Sequence, residues 1–222
     1  MSPSTPRPAS LSGQLPDGLP PGAVPSLELE PVHAEIGLFG IWKEDLAAHE
    51  GDWMRPGFRA LAVHRFGVWR MGVRSRILRA PLSLVYRFLF RHCRDRYGIE
   101  LPFSAWIGRR VIFEHQHGIV VHGSSIIGDE CVLRQGVTLG NRHLEHPYHA
   151  PRLGRAVNIG AGAVLLGRIV LGDRAQVGAN AVVLKDVPSG ETVVGIPARS
   201  LGESSQVASL EPKDSELRAV GE

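Results

Sequence analysis

A six-residue beat runs through the second half of the chain and sets what it can fold into. An aliphatic residue recurs at Val121, Ile127, Leu133 and Leu139, then at Leu153, Ile159, Leu165, Leu171, Val177 and Val183. A glycine often follows, as at Gly128, Gly140, Gly154, Gly160, Gly172 and Gly178. A small or β-branched residue sits four after each beat: Ser125, Cys131, Val137, Val157, Ala163, Ile169, Ala175, Ala181 and Val187. Repeats of this kind build a triangular β-helix, with three hexads to a coil. Each coil buries its hydrophobes only against the next, so the core is a stack and not a globule. A meander of period-two strands has no reason to hold this phase. The expected fold class is mainly β, a parallel β-helix of hexapeptide repeats preceded by a small α-helical domain.

Two irregularities interrupt the beat. From Phe113 to Val121 the step is eight residues instead of six, so two are extra. From Leu139 to Leu153 it is fourteen, which throws out a loop of eight. Insertions in repeat proteins map to loops on one face, often the binding face. Both are rich in histidine: His115 and His117 in the first, His143, His146 and His149 in the second.

Upstream, the stretch from Ile41 to Tyr97 reads as helical. Phe58, Leu61, Ala62, Arg65, Phe66 and Trp69 share neighbouring faces of one helix. A second helix is expected to start at Pro81, a favoured first-turn residue. It would run through Leu84, Val85, Phe88, Leu89 and Cys93, with Arg87, Arg91, Arg94 and Arg96 on other positions. That arginine-rich face reads first as a solvated surface. The rival is a basic surface that touches anionic lipid or an acidic partner. The expected division is a disordered N-terminal segment at 1–35, a helical domain at 36–98, a β-helix at 99–201 with its regular beat from near Ile107, and a disordered tail at 202–222.

Composition removes several classes. A formal charge of +3 over 222 residues makes no case for nucleic acid. Two cysteines form no secreted-type framework, and Cys131 falls on an inward position. No apolar run reaches the roughly 18 residues of a membrane span. The N-terminus lacks the basic-then-apolar pattern of a signal peptide. A cytoplasmic setting is expected.

Glu114-His115 sits at the first irregularity. Imidazole titrates near neutral pH, and a carboxylate can fix its orientation, so the pair suits general base work. Glu100 lies about one coil upstream, where a β-helix could bring its carboxylate near His115.

Several runs carry a family resemblance: Gly98-Ile99-Glu100-Leu101-Pro102, Phe113-Glu114-His115, Gly118-Ile119-Val120-Val121, Gly136-Val137-Thr138-Leu139-Gly140, Ile159-Gly160-Ala161-Gly162-Ala163 and Val194-Gly195-Ile196-Pro197-Ala198-Arg199. These resemble the serine O-acetyltransferases among the hexapeptide acyltransferases. Gly57-Phe58-Arg59-Ala60-Leu61 and Arg65-Phe66-Gly67-Val68-Trp69 look like that family's helical domain. The short N-terminal part is similar to compact members often linked to polysaccharide biosynthesis. The resemblance covers roughly Asp45 to Arg199.

It implies a left-handed β-helix, a homotrimer or a dimer of trimers, and active sites between subunits. Acetyl-CoA would be the co-substrate, with no metal. Its pantetheine would lie near Gly140, Gly160, Ala161, Gly162 and Ala179. The catalytic histidine corresponds to His115 and its supporting carboxylate to Glu100. Substrate-binding positions correspond to Glu114, His149 and, through a gapped match, Asp45. The expected reaction converts L-serine and acetyl-CoA to O-acetyl-L-serine and CoA.

The chain departs from the pattern. Both family aspartates are glutamates here, at Glu100 and Glu114. The family's Arg-His pair, which holds the substrate carboxylate, falls on His149-Ala150. Arg142 and Arg152 are the candidate replacements, because guanidinium forks carboxylate well. The end, Val220-Gly221-Glu222, lacks the isoleucine of members that dock into the sulfhydrylase, so no stable sulfhydrylase complex is expected. Two rivals share the fold. One is an O-acetyltransferase acting on a sugar or another hydroxyl acceptor. The other is a γ-type carbonic anhydrase, for which His117 and His122 would be metal ligands and His115 and His149 could join them.

Overall fold

The computed structural model describes residues 32–201. The expected disorder at 1–31 and 202–222 lies outside the described residues.

Among the described residues three helices precede the strands: α1 (Gly37–Ala48), α2 (Pro56–Trp69) and α3 (Arg76–Tyr97), with a 3-10 turn (Arg70–Gly72) after α2. Pro56 opens α2, where its missing N–H breaks no bond. The start expected for the second helix, Pro81, is corrected. The helix begins at Arg76 and Pro81 lies inside it. Ser75 is the N-cap, and its hydroxyl accepts from the Leu78 N–H at 3.4 Å. Pro81 leaves the Ile77 carbonyl without its helical donor. Ile77 is 85% exposed, so water can serve that carbonyl.

Fifteen short strands follow and form three sheets. The first stacks β1 (Ile99–Glu100), β4 (Ile119–Val121), β7 (Thr138–Gly140), β10 (Val164–Leu166) and β13 (Val182–Val183). The second stacks β2 (Trp106–Ile107), β5 (Ile126–Ile127), β8 (Arg152–Leu153) and β11 (Val170–Leu171). The third stacks β3 (Ile112–Phe113), β6 (Val132–Leu133), β9 (Asn158–Ile159), β12 (Gln176–Val177) and β14 (Thr192–Val194), and β15 (Arg199–Ser200) closes it antiparallel. The other pairings are parallel. This is the left-handed β-helix, and it begins at Ile99, earlier than the regular beat.

The register restates the beat. Val121 pairs with Leu139, Leu139 with Leu165, and Leu165 with Val183. The first and last steps are 18 residues, or three hexads; the middle step is 26, which is 18 plus the eight-residue insertion. Ile99 pairs with Ile119, a step of 20, which is 18 plus the two extra residues. Every beat residue is at most 4% exposed. The corner between the second and third sheets turns through left-handed residues at Arg110, Glu130, Ala156 and Arg174, one per coil.

The helical segment docks on the first coil through specific contacts. Gly57 brings the α2 backbone onto the end of β3, where a Cβ would lie 2.0 Å from the Phe113 carbonyl oxygen. Arg65 is buried, paired with Asp45 at 2.9 Å, and donates to the carbonyls of Ile107 and Gly108. Among the described residues no helix is long and apolar enough to cross a membrane.

Candidate active site

The corner between the third and first sheets carries most of the residues expected to act. The Glu114 N–H donates to the Leu133 carbonyl, and the His117 N–H donates to the Tyr97 carbonyl. Between those two ladder bonds the chain carries His115 and Gln116, both exposed. The corner then turns through two left-handed residues, His117 (φ 74°) and Gly118 (φ 76°). Left-handed residues turn the other corners too, so what sets this corner apart is its two extra residues. The end of α3 lies directly against it. Gly98 caps the helix in the left-handed region, and a Cβ there would come within 2.9 Å of the His117 Cα. The loop expected to hold the base is thus seated by a helix end that only glycine fits.

Glu100 is half-buried on β1, opposite Val120, in the strand pair that leaves this corner. Glu114 is ion-paired with Arg134 at 2.6 Å. Arg134 also donates to the Asn158 amide oxygen at 2.6 Å. The three form a ladder up the outside of the third sheet. Sequence reading missed Arg134. Coil arithmetic could have found it, since 134 is 20 residues beyond 114, the step by which Phe113 pairs with Leu133.

Gly160, Ala161, Gly162 and Ala179 line the same corner in the third and fourth coils. The ladder N–H bonds run from Gly162 to the Gln135 carbonyl and from Asn180 to the Ala161 carbonyl. At roughly 4.8 Å per strand spacing, the column from His115 to Ala179 spans about 14 Å. It presents Arg134 and Gln135 in the second coil and small residues in the third and fourth.

The remaining expected residues lie elsewhere. Gly140 ends β7, at the opposite edge of the first sheet, where the eight-residue insertion leaves the prism. His149 lies in that insertion and helps line a cleft of about 240 Å³ with Arg142, His143, His146, Leu166 and Arg168. The His146 and His149 rings stack at 4.6 Å. Desolvation, then the positive surroundings of His146, Arg168 and His143, holds His149 below the usual histidine range. The cleft's permanent cations are Arg142 and Arg168. Arg152 is not among its lining residues; it projects outward from β8 on the second sheet. The insertion is tied to the prism at His122. That ring accepts from the Ser124 N–H at 3.1 Å, and burial lowers its pKa against the opposing Pro147 backbone bond.

Asp45, expected at the substrate, is corrected. It is fully buried and its carboxylate is engaged by Arg65. Burial pushes its carboxyl up, and Arg65 opposes that. Asp45 joins α1 to α2 and faces no solvent. Among the described residues no group of three His, Cys, Asp or Glu side chains could hold a metal ion. His117 and His122 therefore have no third ligand in one protomer.

No protein-family model matches the chain. Curated relatives do. It is 37% identical over 169 residues to a serine acetyltransferase of Synechococcus elongatus, covering 74% of this chain and 66% of that protein. The chain thus spans a little under two thirds of that relative's length. It is 38% identical to a serine acetyltransferase of Helicobacter pylori strain J99, covering 66% of this chain and 81% of that protein. It is also 38% identical to WcaB of Escherichia coli strain K12, named for colanic acid biosynthesis as an acetyltransferase, across 70% of this chain and 96% of that one. Among solved structures, a soybean serine acetyltransferase complexed with serine matches with a TM-score of 0.63 at 30% identity, covering 74% of this chain and 69% of that chain. A serine acetyltransferase in complex with CoA matches with a TM-score of 0.60 at 28% identity, covering 77% and 72%. With relatives this similar, one of them spanned over four fifths of its length, the chain belongs to the serine acetyltransferase family.

Proposed function

We propose that the chain is an acetyl-CoA-dependent O-acetyltransferase that acetylates L-serine, with His115 as general base. The observation that carries this is the irregular corner, whose two extra residues expose His115 below the small residues Gly160, Ala161, Gly162 and Ala179 of the later coils. The serine-bound and CoA-bound relatives support the substrates. Glu100 orients the His115 imidazole. His115 takes the proton from the acceptor hydroxyl as its oxygen attacks the thioester carbonyl. The tetrahedral centre collapses, the C–S bond breaks, and the imidazolium returns its proton to the CoA thiolate. Gly160, Ala161, Gly162 and Ala179 of one copy, with Gly140 of a neighbouring copy, form the acetyl-CoA groove.

The two halves of this machinery sit on different edges of the prism. His115 and Glu114 are at one edge of the first sheet, and the His149 cleft is at the other. A complete site needs a second copy of the chain, which supports a homotrimer with sites between subunits. The helical segment 36–98 and the β-helix 99–201 act as two units of one cytoplasmic enzyme.

One observation favours a second reading, a sugar or another hydroxyl acceptor. The carboxylate assigned to the serine ammonium, Glu114, already has a cation in Arg134.

The test is thiol release from acetyl-CoA with L-serine, beside a panel of hydroxyl acceptors and the His115→Ala variant. Turnover with serine that falls roughly 10²–10⁴-fold in the variant supports the first reading. Turnover with a sugar and none with serine moves the acceptor to the second. Unchanged turnover in the variant removes His115 as the base.

A further inference from the structure

Among the described residues nothing covers the outer face of α3, which is apolar and basic, and no step of acetyl transfer uses it. Ile77, Pro81, Leu84 and Phe88 follow i, i+4, i+7 and i+11, so they form one stripe along the helix. Leu78 and Val85 widen it on one side. Exposures are 85% for Ile77, 63% for Leu78, 65% for Leu84, 48% for Val85 and 71% for Phe88. Single exposed hydrophobes are ordinary on a protein surface, but five in a continuous stripe mark an interaction surface. On the other side of the stripe Arg76, Arg87 and Arg91 share a second face, spaced eleven and four residues apart. The helix holds six arginines and a single acid, Asp95, which lies at its C-terminal end and is paired with Arg94 at 2.9 Å.

The helix cannot roll this stripe inward. Its inner face is locked by Tyr86 and Cys93, both buried. Arg70 lies between the rings of Tyr86 and Phe103, at 4.4 and 4.6 Å from their centroids. The Tyr86 hydroxyl accepts from the Phe103 N–H at 3.0 Å. The stripe is therefore a fixed feature of the folded surface.

We propose that this face seats the protein on an anionic lipid surface. Apolar side chains on one side and arginines on the adjacent one are what a helix lying in a headgroup layer presents. Charge decides the occupant. A second copy docked through the same stripe would bring two rows of arginine together, with no acid on this face to answer them. Anionic headgroups answer them directly. The proposal does not depend on which acceptor is acetylated.

The test is flotation of the full chain with vesicles of phosphatidylcholine alone, and of equal parts phosphatidylcholine and phosphatidylglycerol. The protein should float with the mixed vesicles and not with the neutral ones. Binding should be lost in about 1 M salt, where the screening length falls to about 3 Å. The triple variant Arg76→Gln, Arg87→Gln, Arg91→Gln should lower partitioning on the order of a hundredfold. Phe88→Ser should lower it about tenfold. All four residues are exposed, so an unchanged circular dichroism spectrum is expected. Failure of the unmodified protein to bind mixed vesicles overturns the proposal, as does equal binding to both vesicle types. If vesicle binding is absent and Phe88→Ser breaks a larger assembly into a smaller one by light scattering, the stripe is a contact between copies and the proposal is wrong.

Discussion

The β-helix and the helical segment are held together by opposite means. In the β-helix each inward side chain meets its counterpart one coil away, and the interior is almost entirely apolar. The helical segment buries Asp45, His49, His64, Arg65 and Arg70 within about two dozen residues of sequence. Arg65 is 1% exposed and answers Asp45 and two carbonyls of the first coil. His64 Nε2–H donates to the Ala105 carbonyl oxygen at 3.0 Å, since a carbonyl can only accept. His49 sits between the Asp45 carbonyl at 2.7 Å and the Phe113 N–H at 3.4 Å. A repeating stack tolerates local damage, because each coil leans only on its neighbours. A junction made of buried charges depends on every partner being present.

That contrast is broken or sharpened first at Arg65. Arg65→Met leaves the Asp45 carboxylate buried with no counter-ion, and should destabilise the protein by about 4 kcal/mol. Urea unfolding followed by circular dichroism measures it. Adding Asp45→Leu should recover much of the loss, because an apolar pair of similar volume replaces the ion pair. A small effect in the single variant would mean that the junction does not depend on this ion pair.

Next comes a deletion inside the stack. Leu165 is fully buried, with Leu139 in the coil before and Val183 in the coil after. Leu165→Ala should lose about 3 kcal/mol to transfer and cavity terms. Hydrogen exchange should quicken around β7, β10 and β13 and stay slow in the helices. A uniform rise across both regions would show that the two are one cooperative unit.

How legible each region was follows from the same physics. The stack announces itself, since one inward position per hexad must be apolar and the period is visible in a single sequence. The two places where it breaks, at His115 and before His149, were also legible, because an insertion is a departure from a known count. The junction was not. Arg65 and Asp45 are twenty residues apart and belong to different helices. No local pattern says that an arginine on an amphipathic helix will turn inward, and Asp45 was set at the substrate only through a gapped match to the family. The start of α3 differs because Pro81, a favoured first-turn residue, sits in the second turn of a helix that Ser75 caps. Arg134 falls between these cases. It is local to the repeat and lies one coil from Glu114, yet an outward position carries no period to flag it.

The third difference is in acid. Burial lowers the His64 pKa to about 3, and burial also lowers His49. An unfolded histidine binds its proton near pH 6.5, so the unfolded state holds more protons between about pH 6.5 and pH 3. Stability from His64 is therefore intact above about pH 6.5 and is lost as pH falls through that window. At pH 5 the loss from His64 is about 2 kcal/mol. Thermal melts at pH 7 and pH 5 should separate, and His64→Gln should narrow the gap. The β-helix core residues carry no titrating groups except Cys131, which burial pushes up to about 12. A gap that His64→Gln leaves unchanged would place the acid sensitivity elsewhere.

The smallest effect is at the start of α3. The Ser75 hydroxyl caps a helix that carries a proline in its second turn and an apolar stripe on its outer face. Ser75→Ala should cost about 1 kcal/mol. The loss should show as faster exchange in the first turn of α3, with the inner contacts of Tyr86 and Cys93 undisturbed. Ser75→Asp should restore it, because a carboxylate caps as well as a hydroxyl and favours the positive end of the helix dipole. If instead Ser75→Ala unfolds α3 as a whole, the helix is held by its cap more than by its packing on α2. The helical segment would then be less a docked unit than a set of separately fragile pieces, and its contrast with the β-helix would be sharper than the buried charges alone make it.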